Sequence, residues 1–246
     1  MLDNLKKIEQ EVIACTRCPR LVEYRCRIAE QKRRAYRDWE YWGKPVPGFG
    51  DPKARLLVIG LAPAAHGGNR TGRVFTGDSS GDLLYATLYQ CGFSNQPQAV
   101  SRNDGLRLRG AYITAAARCA PPGNKPSPEE FRNCREYLER EINLLRDVQV
   151  VVALGKIAFD AYLSILRNRG LIASRAQKSP RHENRAVATT RTSFHFAHGA
   201  VYKFPPPLPA LIASYHPSRQ NTQTGKLTRV MFLGVFRKAR EQADEG

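Results

Sequence analysis

No run of about 18 apolar residues occurs in this chain, which excludes a membrane-spanning helix. The first residues, Met1-Leu2-Asp3-Asn4-Leu5-Lys6-Lys7, lack the apolar stretch of a secretory signal. A reducing compartment is therefore expected, and a disulfide framework is not. Acidic residues are scarce: 22 Asp and Glu stand against 39 Lys and Arg, a formal charge of +17. No Gly-Lys-Ser/Thr triplet occurs, so a phosphate-binding P-loop is excluded. No internal repeat is evident, which argues against a solenoid.

What is present fits one sizeable domain. The chain has 246 residues, and 42% of them are hydrophobic, enough for a real core. The positive excess points to a polyanion, most simply nucleic acid. The plainer reading of any single charge is a solvated face.

Four apolar segments read as buried strands: 55–60, 111–115, 148–155 and 208–215. Helical periodicity is expected over 2–14, 21–41, 82–91, from Ser127 to about 145, over 156–166, and over 228–243. Ser127, followed by Pro128 and then Glu130, forms a capping-box pattern. Residues 43–52 read as a Gly/Pro-rich loop. Strands alternating with helices predict a three-layer α/β/α sandwich around a central four-stranded parallel sheet. The domain reading is 1–246 as one unit, with an N-terminal helical segment over 1–50. Residues 167–192, with seven basic residues and one acid, read as a flexible basic insertion.

Chemistry in an open α/β sheet belongs at the carboxyl ends of strands. Three clusters lie there. The first runs from Gly60 through His66 and Arg73 to Asp78. Its glycines allow close backbone approach to a ligand. Phe75 can stack on a planar ligand or anchor the loop. Asp78 can act on water or positive charge, or cap the next helix. The second holds Asn124 in Pro-Pro-Gly-Asn, as a ligand donor or a turn residue. The third is His216-Pro217-Ser218-Arg219-Gln220, where an imidazole sits at a strand end.

Six cysteines are present. Cys15 and Cys18 form a C-x-x-C pair, and Cys119 with Cys134 would complete a four-thiolate site. Such a set suits zinc or an iron–sulfur cluster, and spacing does not choose between them.

Four motifs occur together and in order: Gly60-Leu61-Ala62-Pro63-Ala64, Thr71-Gly72-Arg73-Val74-Phe75-Thr76-Gly77-Asp78, Cys119-Ala120-Pro121-Pro122-Gly123-Asn124 and His216-Pro217-Ser218. With the four cysteines, the set resembles the uracil-DNA glycosylase superfamily, most closely its family five, the type b iron–sulfur enzymes. The likeness covers roughly residues 8–237, interrupted by 167–192. It implies a glycosylase-like sandwich and a [4Fe-4S] cluster on Cys15, Cys18, Cys119 and Cys134. Cys26 and Cys91 have no counterpart.

The implied reaction is hydrolysis of the N-glycosidic bond of a deaminated base flipped from DNA, leaving an abasic site. Asp78, Asn124 and His216 carry the expected catalytic roles. Gly60, Ala62, Ala64, Phe75, Ala115 and His216 are expected at the base. Arg73, Ser218, Arg219 and Gln220 are expected at the DNA. Related family-four enzymes have an acidic residue at the position of Leu61, and an asparagine that reads uracil at that of Ala115. The change implies relaxed selection, extending to hypoxanthine and xanthine. A monomer is the default expectation, since no heptad or self-association stripe is evident; no membrane partner is expected, and the expected location is the cytoplasm of a bacterium or archaeon. A non-catalytic iron–sulfur DNA-binding protein and a zinc-stabilised nucleic-acid module are the rival readings.

Overall fold

The computed structural model describes residues 3–173 and 194–245. Its strands are β1 (Phe49–Gly50), β2 (Leu56–Gly60), β3 (Ala111–Ala115), β4 (Val150–Leu154), β5 (Val201–Tyr202) and β6 (Ala210–Ser214). Its helices are α1 (Leu5–Ile13), α2 (Pro19–Gln31), α3 (Gly68–Thr71), α4 (Ser79–Gln90), α5 (Pro128–Leu144), α6 (Lys156–Asn168), α7 (Arg219–Gln223) and α8 (Arg229–Glu245).

The sheet order is β1-β3-β2-β4-β6-β5. The four inner strands pair in parallel, as expected. Short antiparallel strands add one edge on each side, pairing Phe49 with Ile113 and Val201 with Ile212. The first of these lies within the segment 43–52, where the sequence predicts a loop. A two-residue strand has too little pattern to be seen without its partner.

Strand alternation explains the layers. Leu56, Val58, Ile113, Val152 and Ile212 face Leu84, Leu88, Phe232 and Phe236. Leu57, Ile59, Val151, Ala153 and Leu211 face Leu138, Phe159, Tyr162 and Leu166. Successive residues therefore serve opposite cores, which is why the inner strands are almost wholly apolar, with Thr114 and Ser214 the buried exceptions. Among the described residues no helix is long and apolar enough to cross a membrane.

Several helix limits differ from expectation. The first helix begins at Leu5, where the Asn4 side chain accepts the Lys7 amide. The second begins at Pro19 and stops at Gln31 instead of running over 21–41. Lys32 takes φ +51°, and a short 3-10 turn, Arg34–Tyr36, follows. The rings of Tyr36 and Trp39 beyond it clamp the Arg70 guanidinium at 4.0 and 4.1 Å. That tertiary contact replaces further helix. The capping box at Ser127 is present in both directions. Arg167 and Asn168 belong to the last turn of α6, so they are not part of an insertion. Residues 174–192 of that stretch lie outside the described residues.

Candidate active site

A cavity of about 460 Å³ opens at the carboxyl ends of the parallel strands. Ala62 and Ala64 enter it from the loop after β2, Ala115 from the end of β3, and Asn124 from the turn beyond. Phe75 and Asp78 enter from the segment before α4; His216, Ser218, Arg219 and Gln220 follow β6. Thus three separate strand ends supply one site, at the place where such sheets bind ligands.

Phe75 adopts φ +50°, a strained backbone for a non-glycine residue. The turn is held on both sides. The Tyr85 hydroxyl donates to the Val74 carbonyl at 2.9 Å, and the Gly77 amide donates to the Ala99 carbonyl at 3.1 Å. The Phe75 ring lies over Gly60, where a Cβ would come within 2.6 Å of it. Gly60 therefore supports the ring and does not line the cavity, a correction to its expected contact with the base. On its other side the ring lies 5.8 Å from the His216 ring, tilted by 31°.

Asp78 caps the next helix with one carboxylate oxygen and leaves the other outside that cap. Its Oδ1 accepts the amides of Ser80 and Gly81, both at 3.0 Å, and so caps α4. Oδ2 takes neither bond. It approaches Gly67 so closely that a Cβ there would stand 2.1 Å away. Burial raises the Asp78 carboxyl above its ordinary value, against the lowering pull of the two amides and of Arg70. His216 is pushed down to about 4 by burial, so its imidazole is neutral at pH 7. Asn124 takes φ +56° at an exposed turn, the left-handed conformation that Asn tolerates better than most residues.

Arg73 is the clear correction. It was expected at the DNA, but its side chain is 2% exposed. Its Nη1 and Nη2 donate to the two Asp104 carboxylate oxygens at 2.8 and 2.7 Å, and its Nε donates to Thr76 Oγ1 at 2.9 Å. A guanidinium spent on a buried bidentate pair cannot neutralise a phosphate. Asp104 accordingly sits well below the ordinary carboxylate range: bonds from Arg73 and from the Leu106, Val100 and Ser101 amides outweigh burial. Arg73→Met is expected to cost about 3–5 kcal/mol of stability by stranding Asp104. Denaturant melts should show that loss, while the salt dependence of DNA binding stays unchanged.

Sequence reasoning missed Arg70. Its Nε donates to the His66 carbonyl at 2.8 Å and its Nη2 to the Gly77 carbonyl at 2.9 Å. It therefore ties together the loop that carries Asp78. Nothing in the local sequence separates it from the other arginines, because its aromatic clamp comes from residues more than 30 positions earlier. His66 is not among the cavity residues; its Nδ1 pairs with the Tyr41 hydroxyl at 3.1 Å. Ser79 and Ser80 join the cavity rim and were not anticipated.

The four cysteines Cys15, Cys18, Cys119 and Cys134 line a second, separate cavity. The last three are buried and Cys15 is half-buried. Burial pushes the Cys119 thiol up to about 12, and the other three sulfurs push it in the same direction. Asn133 Nδ2 donates to Cys18 Sγ at 3.4 Å. Among the described residues no group of three or more His, Cys, Asp or Glu side chains is gathered for a single metal ion. Cys26 is exposed and Cys91 is half-buried, and neither lines this cavity.

The family model of the uracil DNA glycosylase superfamily matches residues 47–240. A Type-5 uracil-DNA glycosylase of Thermus thermophilus is 51% identical over 95% of this chain and 96% of its own. Type-5 uracil-DNA glycosylases of Mycobacterium bovis and Pyrobaculum aerophilum are each 44% identical over 94% of this chain, and over 79% and 90% of their own.

Proposed function

The chain belongs to the uracil DNA glycosylase superfamily, and we propose that its strand-end cavity receives a uracil flipped out of DNA, with Asp78, Asn124 and His216 acting on the N-glycosidic bond. The enzyme is a uracil-DNA glycosylase, a hydrolase of DNA repair. The observation that carries the site assignment is the convergence of Phe75, Asp78, Asn124 and His216 on one cavity from distant parts of the chain.

Each residue has a role that its surroundings support. Phe75 offers a ring face to the flipped base. As the bond to the sugar breaks, negative charge grows on the base carbonyl oxygens. A neutral His216 can donate one N–H to that charge. The sugar becomes oxocarbenium-like, and the free Oδ2 of Asp78 stabilises it or orients the attacking water. Asn124 helps to hold water or substrate. Ala62 and Ala64 line the pocket. Ser218 caps α7, and its Oγ accepts the Asn221 amide at 3.3 Å. That cap presents Arg219 and Gln220, both exposed, to the DNA and to the vacated stack. Exposed Arg107 and Arg109 are available for phosphates.

The substrate range extends to deaminated purines such as hypoxanthine and xanthine in this reading. Ala115 is buried at the pocket end of β3 and carries no polar group to read a base edge. Ala115→Asn is expected to favour uracil over hypoxanthine by tenfold or more in kcat/KM, an order typical of adding a polar reader. Single-turnover rates on the two lesions would measure it.

The cysteine cavity fits a [4Fe-4S] cluster. Four thiols suit iron–sulfur chemistry, they share one cavity although they come from three places in the chain, and the family resemblance favours the cluster over zinc. Cys15, Cys18, Cys119 and Cys134 would hold the group. Bound there, it would join the N-terminal segment to α5 and to the turn bearing Asn124, and hydrolysis asks no electrons of it. The remaining proposals follow the same family reading: one domain over 1–246, a monomer, cytoplasmic, without a membrane partner.

The test is direct. A uracil-containing oligonucleotide is incubated with the protein and then treated with alkali. Strand breaks at uracil are expected. Intact single- and double-stranded substrates would favour a non-catalytic DNA-binding protein instead.

A further inference from the structure

Arg118 is the largest fully buried side chain of the described residues, with 1% of its surface exposed. Its Nη2 pairs with Glu141 Oε2, itself 1% exposed, at 2.5 Å. Glu141 also accepts the Thr114 hydroxyl at 2.6 Å and the Tyr112 hydroxyl at 3.5 Å. Nη2 is therefore satisfied. The other donors are not: Nε and Nη1 find no hydrogen-bond partner among the described residues. Two buried donors without acceptors carry their full desolvation penalty unless a further group meets them.

The same side chain lines the cavity of Cys15, Cys18, Cys119 and Cys134. Glu141 lies on α5, two turns beyond Cys134, and Arg118 directly precedes Cys119. We propose that Arg118 is the internal counter-cation of the iron–sulfur group, shared between Glu141, which takes Nη2, and the cluster's sulfur, which its unpartnered donors would meet. This rests on the cluster reading given above.

The chemistry is consistent on both sides. A four-thiolate [4Fe-4S] group carries net negative charge, and one unit more when reduced. Its sulfurs accept weak hydrogen bonds, and such bonds and nearby charge set its potential. Glu141 pairs with Nη2 alone, so two donors remain without a partner on a side chain that lines the cysteine cavity. Arg118 is thus a positioning residue. It also links the cluster to β3, because Thr114, its partner through Glu141, stands next to Ala115 of the base pocket.

The sign of the effect separates this role from a structural one. Removing the cation destabilises the reduced cluster, so Arg118→Met is expected to lower the midpoint potential. Removing the anion acts oppositely, so Glu141→Gln is expected to raise it. Voltammetry of anaerobically purified protein reads both. A purely structural ion pair would lower the melting temperature of each variant and leave both potentials where they are, which would overturn the proposal. Should a single variant fail to fold, the double variant Arg118→Met/Glu141→Gln removes the pair without stranding a charge. It is expected to lose iron to a chelator about ten- to a hundredfold faster than the parent. An unchanged rate would overturn the proposal. Parent protein that contains no iron and has no visible charge-transfer absorption would remove the cluster reading, and this inference with it.

Discussion

Asp78→Asn is expected to lower single-turnover cleavage of uracil DNA by about 10²–10⁴-fold, the range of a positioned carboxylate acting in the transition state. The same change is expected to raise the melting temperature. Asn caps a helix about as well as Asp, so Ser80 and Gly81 keep an acceptor. What disappears is a charge that burial disfavours. The sign follows from linkage. The folded-state carboxyl lies above its unfolded value, so the native state binds more protons there. Ionising Asp78 therefore costs stability as pH rises through the unfolded value, and the amide never pays that cost. Wild-type activity should rise from acid pH along a limb above the ordinary carboxylate value. His216 is neutral once pH exceeds about 4, so it does not oppose that rise. Gly67→Ala is a companion test, because its Cβ would displace Oδ2 without deleting it. Full activity in Asp78→Asn would show that another group serves the sugar.

Cys18→Ala is expected to abolish iron binding and to lower stability by more than about 4 kcal/mol, a loss seen only when a feature such as a resident metal is removed. The reasoning concerns how the first 47 residues are held. Their fully buried apolar side chains are few, chiefly Ile8, Val12, Leu21 and Val46. Ile8 and Val12 meet Tyr137 of α5 in a small cluster of their own. The ion pair Arg17–Glu136 is exposed on both sides and contributes about 0–1 kcal/mol, while Arg20 makes a two-point bond to the buried Glu130 carboxylate. Arg140, which pairs with Asp3 and Glu11, adds one better-shielded tie. A group shared by Cys15 and Cys18 with Cys119 and Cys134 would be the strongest link between this segment and the sheet. In the variant, proteolysis should cut within the first 47 residues while the sheet keeps its circular dichroism. A stable, protease-resistant, iron-free protein would refute this account.

Much of the fold was legible in sequence because its signals are local. Segments 55–60, 111–115, 148–155 and 208–215 are mostly apolar, since both faces of each strand are covered. Ser127 and Glu130 specify a helix start within four residues. The motif residues Phe75, Asp78, Asn124 and His216 stood at strand ends, which is enough to nominate them. Their convergence on one cavity was not legible, because it depends on how the strands are ordered.

Charge shows the division most clearly. By itself the sequence determined the excess of +17, the parallel α/β architecture and the four motifs in order. Only the tertiary structure decided what each arginine does. Arg73 turns inward to Asp104, Arg70 lies between two rings, and Arg118 is sealed beside four cysteines, whereas Arg107, Arg109 and Arg219 face solvent. The physical reason is that local sequence sets helix and strand preference, while a guanidinium's role depends on which distant acceptors and rings the fold brings to it.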